Sequence, residues 1–207
     1  MTVSSKNTDL AEPARTIRHR QRVSERVEEL RKMLRSLFPT EKSIVLEIGC
    51  GHGHFLNAYA AAHPDSFCVG IDIVRDRIER ATRKRNRSRL PNLIFLLAEA
   101  HEFLGALPET VHLATIYVLF PDPWPKRRHH KNRLLQPAFL SLLAEKSQRD
   151  ARIHFRTDFE PYFLESAEVV KTHRGWERTE EAWPFEMETV FQARAADYFS
   201  LTAKKRA

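Results

Sequence analysis

Three glycines stand at alternate positions in Glu47-Ile48-Gly49-Cys50-Gly51-His52-Gly53. They follow a branched, apolar run and precede a helix-like stretch over residues 54–62. Side chains are thereby cleared where a ligand must meet backbone, and a glycine turn between strand and helix is the nucleotide corner of an open α/β sheet. A second apolar run ends in Gly70-Ile71-Asp72, whose carboxylate can accept hydrogen bonds from both hydroxyls of a ribose. In the dinucleotide fingerprint G-x-G-x-x-G the last glycine would come one residue later than Gly53. S-adenosylmethionine fits better than NAD. It carries a sulfonium and an ammonium but no pyrophosphate, so Glu47 is welcome beside it and would repel a dinucleotide phosphate. Glu99, in Ala98-Glu99-Ala100 after a third apolar run, either hydrogen-bonds the adenine or starts the next helix.

The second group of reactive residues follows a fourth apolar run: Phe120-Pro121-Asp122-Pro123-Trp124-Pro125-Lys126-Arg127-Arg128-His129-His130-Lys131. Alternating prolines lack backbone donors and fix φ, so the loop is held stiffly extended as neither helix nor central strand. It presents Asp122 and Trp124 at the carboxyl edge of the sheet, where a methyl donor would lie. Lys126, Arg127, Arg128, Lys131 and Arg133 form one acid-free cationic cluster, and Arg83, Lys84, Arg85, Arg87 and Arg89 form another. Next to a donor site, such a run reads as a phosphate track for the first cluster, while the second is equally a solvated face. His129-His130, amid cations and without cysteine or carboxylate nearby, argues against a metal.

This proline-rich segment resembles the signature of the bacterial single-subunit tRNA (guanine-N7)-methyltransferases. The similarity runs from about Ile44 to Gln192 and includes Glu47 and Asp72, where that family binds S-adenosylmethionine. It also includes Glu99 where the family has aspartate, Thr157-Asp158 for a Thr-Asp substrate motif, and Thr189-Val190-Phe191-Gln192 for Thr-x-Phe-Glu. The resemblance implies a Rossmann-like class I methyltransferase with a mostly parallel seven-stranded sheet and helices on both faces. It implies S-adenosylmethionine held by Glu47, Gly49, Gly51, Gly53, Asp72 and Glu99. Asp122 is the implied catalytic-site carboxylate, which also borders the cofactor, and tRNA contacts fall on Lys126, Asp158, Thr189, Phe191 and Gln192. Gln192 in place of glutamate would turn a charge-assisted bond into a neutral one.

The implied chemistry is coherent by itself. Guanine N7 has an in-plane lone pair and no proton, so in-line attack on a sulfonium methyl needs alignment more than a base. Asp122 can accept from the guanine N1 and amino edge or counter charge growing on the ring; its bland role is to cap the loop. Trp124 either stacks on a base or fills the core. The alternative enzyme is one that methylates an exocyclic amino group, but its [DN]-P-P-[YFW] loop is not matched by Asp122-Pro123-Trp124. A non-catalytic RNA-binding protein of the same fold would have lost the cofactor residues, which are intact. RNA helices hide N7 in a deep groove, so a guanine in the tRNA variable loop would have to be opened. Arg15 to Arg22 are placed to grip the tRNA body during that step.

These residues need a scaffold, and 207 residues allow one α/β domain plus a tail. Apolar runs at 44–48, 67–71, 92–97, 113–120 and 152–156 alternate with charged helical stretches, the pattern of a parallel sheet with crossover helices. Segments 176–179 and 188–191 are expected to form an antiparallel hairpin closing the sheet. Residues 1–40 read as a basic mobile tail and an amphipathic helix, with Val23, Val27, Leu30, Leu34 and Leu37 as its stripe. That helix should stop at Phe38-Pro39, leaving 41–207 as the methyltransferase domain. The net charge of +7 suits a polyanion. With Cys50 and Cys68 as the only cysteines and no apolar run near the roughly 20 residues of a bilayer span, a cytoplasmic protein without membrane or metal is expected, as monomer or weak homodimer.

Overall fold

A computed structural model describes residues 14–187 and 197–206. Helix α1 (Ala14–Leu37) leads into β1 (Lys42–Ile48), followed by α2 (His54–Ala62), β2 (Phe67–Asp72), α3 (Arg75–Ser88), β3 (Leu93–Leu97) and α4 (Ala100–Ala106). Then come β4 (Val111–Leu119), a 3-10 turn (Arg127–Asn132), α5 (Pro137–Lys146), β5 (Ser147–Thr157), α6 (Glu160–Thr172), β6 (Trp176–Thr179) and β7 (Phe199–Lys205). Among the described residues the strands form one sheet in the order β3-β2-β1-β4-β5-β7-β6. The first five run parallel, and β7 lies antiparallel to both β5 and β6. The direction of winding reverses between β1 and β4, and in open α/β sheets the ligand crevice lies at such a point, outside the carboxyl ends of the strands.

The faces of the sheet are covered unequally. Side chains of α1, α4, α5 and α6 share the larger core with Leu46, Ile116, Ile153 and Phe155. Helices α2 and α3 cover the other face beside Val45, Cys68 and Tyr117, and Trp183, Phe185 and Met187 complete it from an extended segment. Leu30 and Leu34 of α1 are buried, each contributing about 1.5–3 kcal/mol through area removed from water. No helix among the described residues is long and apolar enough to cross a membrane.

Five parallel strands, the helices between them and the end of α1 before Pro39 fall where the residue patterns place them. The differences lie at the margins. Helix α1 begins at Ala14, so Arg18, Arg20 and Arg22 are in its first turns rather than in a lead-in. Leu37 is exposed and Phe38 takes its place in the core, because Phe38 continues the helical turn by donating its N–H to the Leu34 carbonyl at 2.9 Å. The antiparallel partner of Trp176–Thr179 is Phe199–Lys205; segment 188–191 lies outside the described residues, as does the tail expected over the first dozen.

Candidate functional site

The turn after β1 is built from backbone that only glycine adopts readily. Gly49, Gly51 and Gly53 have φ of +74°, +53° and +66°. The N–H groups of Gly49 and Cys50 both donate to the Ile71 carbonyl, at 2.8 and 2.9 Å, hooking the turn onto the end of β2. The three glycines nevertheless serve different ends. A Cβ on Gly49 or Gly51 would enter open space, whereas one on Gly53 would lie 2.5 Å from the Phe95 ring and 2.8 Å from Ala81 Cβ. Gly49 and Gly51 therefore clear the crevice, and Gly53 lets α2 close on β3 and α3.

Asp72 is buried at the end of β2. Its Oδ2 accepts the Gly51 N–H at 3.0 Å, its Oδ1 accepts the Val74 N–H at 2.8 Å, and Arg77 stands 3.5 Å away. Each oxygen retains a lone pair for a ribose hydroxyl. Beside it Ile73 is 72% exposed, an apolar surface for a flat ring. Sequence reasoning missed Ile73; its only signal is an apolar residue between a strand end and a charged helix. Glu47 is also buried, and its Oε2 has no hydrogen-bond partner. Burial first and Asp72 second push its carboxyl up to about 8, against a backbone hydrogen bond from Leu56. A buried carboxyl oxygen without a partner is costly; a cationic amino group or sulfonium beside it would favour its ionised form and pair with it. The Cys50 and Cys68 thiols are buried and raised, Cys68 to about 12, chiefly by that burial.

Of the two readings of Glu99, the helix start is the one seen. Its carboxylate accepts the N–H groups of His101 and Glu102 at 2.8 and 3.0 Å and lies 3.0 Å from the His101 ring. Both N–H groups go to Oε2, so the N-cap leaves Oε1, beside the His101 ring, with lone-pair capacity for a further donor.

The proline loop leaves β4 with two side-chain-bearing residues in the left-handed region, Phe120 at φ +49° and Trp124 at φ +46°. The Phe120 N–H donates to the Arg156 carbonyl at 2.8 Å. Asp122 is exposed, and its carboxylate makes no hydrogen bond or ion pair with the described residues; it does not cap the loop. Trp124 is half-buried, with its ring edge-on to His129 at 5.8 Å, so it does not fill the core. Lys126, Arg127, Arg128 and Lys131 are exposed on and beside the 3-10 turn. Arg133 departs from that cluster: its side chain is 1% exposed and paired with Glu165, so it is not part of a phosphate track. In the second cluster Lys84 reaches the His52 carbonyl at 3.2 Å, and Arg85 bonds the Leu90 carbonyl at the end of α3.

Register brings these parts together. Ile48 pairs with Ile71 and Val118, and Leu119 pairs with Arg156, so the glycine turn, Asp72, the Asp122 loop and exposed Asp158 all leave the sheet at one edge. Thr189, Phe191 and Gln192 lie outside the described residues. The residues flanking them meet at buried Arg156, which sequence reasoning left unmarked: Glu186 pairs with its guanidinium, and Trp183 and Tyr198 lie 3.7 and 4.9 Å from it. A cavity of about 580 Å³ at the opposite edge, lined by Arg31, Arg35, Phe38 and Lys146, holds none of the site residues.

This sheet order, with a glycine turn on its first strand and an acid closing its second, defines a Rossmann-like fold of the class I methyltransferase type. The 16S rRNA methyltransferase KamB superposes with a TM-score of 0.60 at 20% identity, over 87% of this chain and 92% of that one. The aminoglycoside resistance methyltransferase NpmB1 gives 0.57 at 18%, over 90% and 93%. At such identities the likeness establishes the fold. Residues 41–197 match the family described as "Putative methyltransferase", and the chain belongs to that family. Among curated relatives, proteins named tRNA (guanine-N(7)-)-methyltransferase from Streptomyces coelicolor and Chromohalobacter salexigens are 38% and 34% identical. The matches cover 70% and 74% of this chain but 54% and 62% of those relatives, so the chain spans little more than half their length.

Proposed function

We propose that the chain transfers the methyl group of S-adenosylmethionine to N7 of a guanine in tRNA. The observation that carries this reading is the shared edge: an orphaned buried carboxyl at Glu47 and a hydrogen-bonded carboxylate at Asp72 stand near the ends of β1 and β2, at the same edge of the sheet from which the proline loop bearing Asp122 leaves β4. The curated relatives with this name support the choice of substrate.

S-adenosylmethionine supplies an electrophilic methyl on a sulfonium, and the chain supplies alignment. Gly49 and Gly51 admit the cofactor to the backbone, Asp72 accepts from its ribose hydroxyls, and Glu47 faces its cationic groups. Exposed Asp122 meets the N1 and amino edge of the guanine and offsets the positive charge that grows on the ring as N7 takes the methyl. No proton leaves N7, so no general base is required. Lys126, Arg127, Arg128 and Lys131 meet backbone phosphates, which gives binding a salt-dependent component, and Asp158 borders the substrate side. The variable loop of tRNA offers a guanine that local opening can expose. A tRNA substrate and two free buried thiols fit a reducing cytoplasm.

Methyl-labelled S-adenosylmethionine and unmodified tRNA test this reading, with nucleoside analysis of the digested product. N7-methylguanosine is expected. A base methylated on its exocyclic amino group would move the chain to the alternative class, and unlabelled tRNA would overturn the reading.

A further inference from the structure

We propose that Arg133 and Glu165 are positioning residues for methyl transfer, a buried pair that holds the Asp122 loop in its working place. The inference rests on the function proposed above only for its kinetic consequence. The loop poses a physical problem of its own making. Pro121, Pro123 and Pro125 have no N–H, so much of the segment can be fastened only through its carbonyl oxygens, by donors from elsewhere. Phe120 and Trp124, held at φ +49° and +46°, persist in that region only where the surroundings fix them.

Arg133 supplies the missing donor. Its Nε donates to the Pro123 carbonyl at 3.0 Å, one residue from Asp122, while Nη1 pairs with Glu165 of α6. The guanidinium lies 4.9 Å over the Tyr162 ring, and the Tyr162 hydroxyl accepts the N–H groups of Leu134 and Leu135 at 2.9 and 3.2 Å. Gln136 donates to the other Glu165 oxygen at 3.4 Å. The side chain of Arg133 thus bonds the loop with Nε and α6 with Nη1, and the loop is referenced to α6 through one planar fork. A lysine would keep the charge but could not bond two partners in fixed directions while stacking on Tyr162.

Two measurements on the full chain test this. In Arg133→Lys, amide hydrogen exchange at Phe120 and His129, whose N–H groups donate to the Arg156 and Lys126 carbonyls, should speed at least tenfold while residues 47–53 keep wild-type protection. Glu165→Gln should show a smaller change of the same kind. At saturating S-adenosylmethionine and tRNA, kcat of Arg133→Lys should fall about ten- to a hundredfold, the range expected of misplacement by about an ångström. A role through Asp122 further requires non-additivity: on an Asp122→Ala background, Arg133→Lys should cost almost nothing more in kcat. Unchanged exchange at the loop overturns the anchoring. Fully additive kcat losses overturn the positioning role and leave Arg133 a stabilising residue. A wild-type chain that does not methylate tRNA would sink the proposed function, and the exchange measurement would still decide the anchoring.

Discussion

The N–H of Gly51 donates to Oδ2 of Asp72 at 3.0 Å, so the turn after β1 is locked to the end of β2 by the carboxylate assigned to the cofactor ribose. Asp72→Ala removes the acceptor of two N–H groups, and leaving them unpaired should cost about 1–3 kcal/mol. Chemical denaturation measures that loss, and calorimetry should show S-adenosylmethionine affinity reduced at least tenfold.

Gly51 and Gly53 should respond to the same substitution for different reasons. Gly53→Ala drives a methyl group to 2.5 Å from Phe95 and should lower stability by about 1–3 kcal/mol through overpacking, beyond its backbone strain. Gly51→Ala meets nothing within 4 Å, so about 1–2 kcal/mol of left-handed strain is its whole cost. That variant should remain folded and yet lose cofactor affinity, because its methyl group occupies the crevice. Thermal melts with and without S-adenosylmethionine separate the two.

Glu47 couples cofactor binding to protons. Its carboxyl is raised from 4.5 to about 8, mainly by burial, so it is largely protonated in the folded protein at pH 7. With the folded value above the unfolded one, its contribution to stability is complete below about pH 4.5 and is lost as pH rises through about 8. A cation beside it favours the ionised form, so binding at pH 7 should release a proton and affinity should rise toward about pH 8. Calorimetry in buffers of different ionisation enthalpy detects the release, and Glu47→Gln should abolish it.

His154 should make the protein acid-sensitive. It stacks on Tyr117 at 5.0 Å and sits 3.2 Å from the Thr202 hydroxyl, and burial lowers it to about 4. Its folded value lies below the unfolded 6.5, so its contribution is present above pH 6.5 and lost as pH falls through about 4. The loss is on the order of 3 kcal/mol. The melting temperature of wild type should drop across that window more steeply than that of His154→Phe.

Much of this site was legible because its physics is local. Alternating glycines, an acid at a strand end and prolines that forbid other conformations act through neighbouring residues, so Gly49, Gly51, Asp72 and the Asp122 loop stand where their patterns place them. What was not legible depends on distant partners. Arg133 reads as one more cation until α6 brings Glu165 to it, and the N-cap that Glu99 Oε2 makes on α4 is one of two roles its place in the sequence allows. Gly53 is indistinguishable from Gly51 until Phe95 and Ala81 arrive from other elements. Strand β7 escaped notice because Phe199–Lys205 ends in two lysines, whose place between β5 and β6 only the sheet reveals.

The most direct measurement is a single-turnover comparison of wild type and Asp122→Ala at saturating S-adenosylmethionine and tRNA, with the product nucleoside identified. The site described here requires N7-methylguanosine from wild type and a rate at least about a hundredfold lower in the variant. A variant as fast as wild type, or a methyl group on another atom, would contradict it.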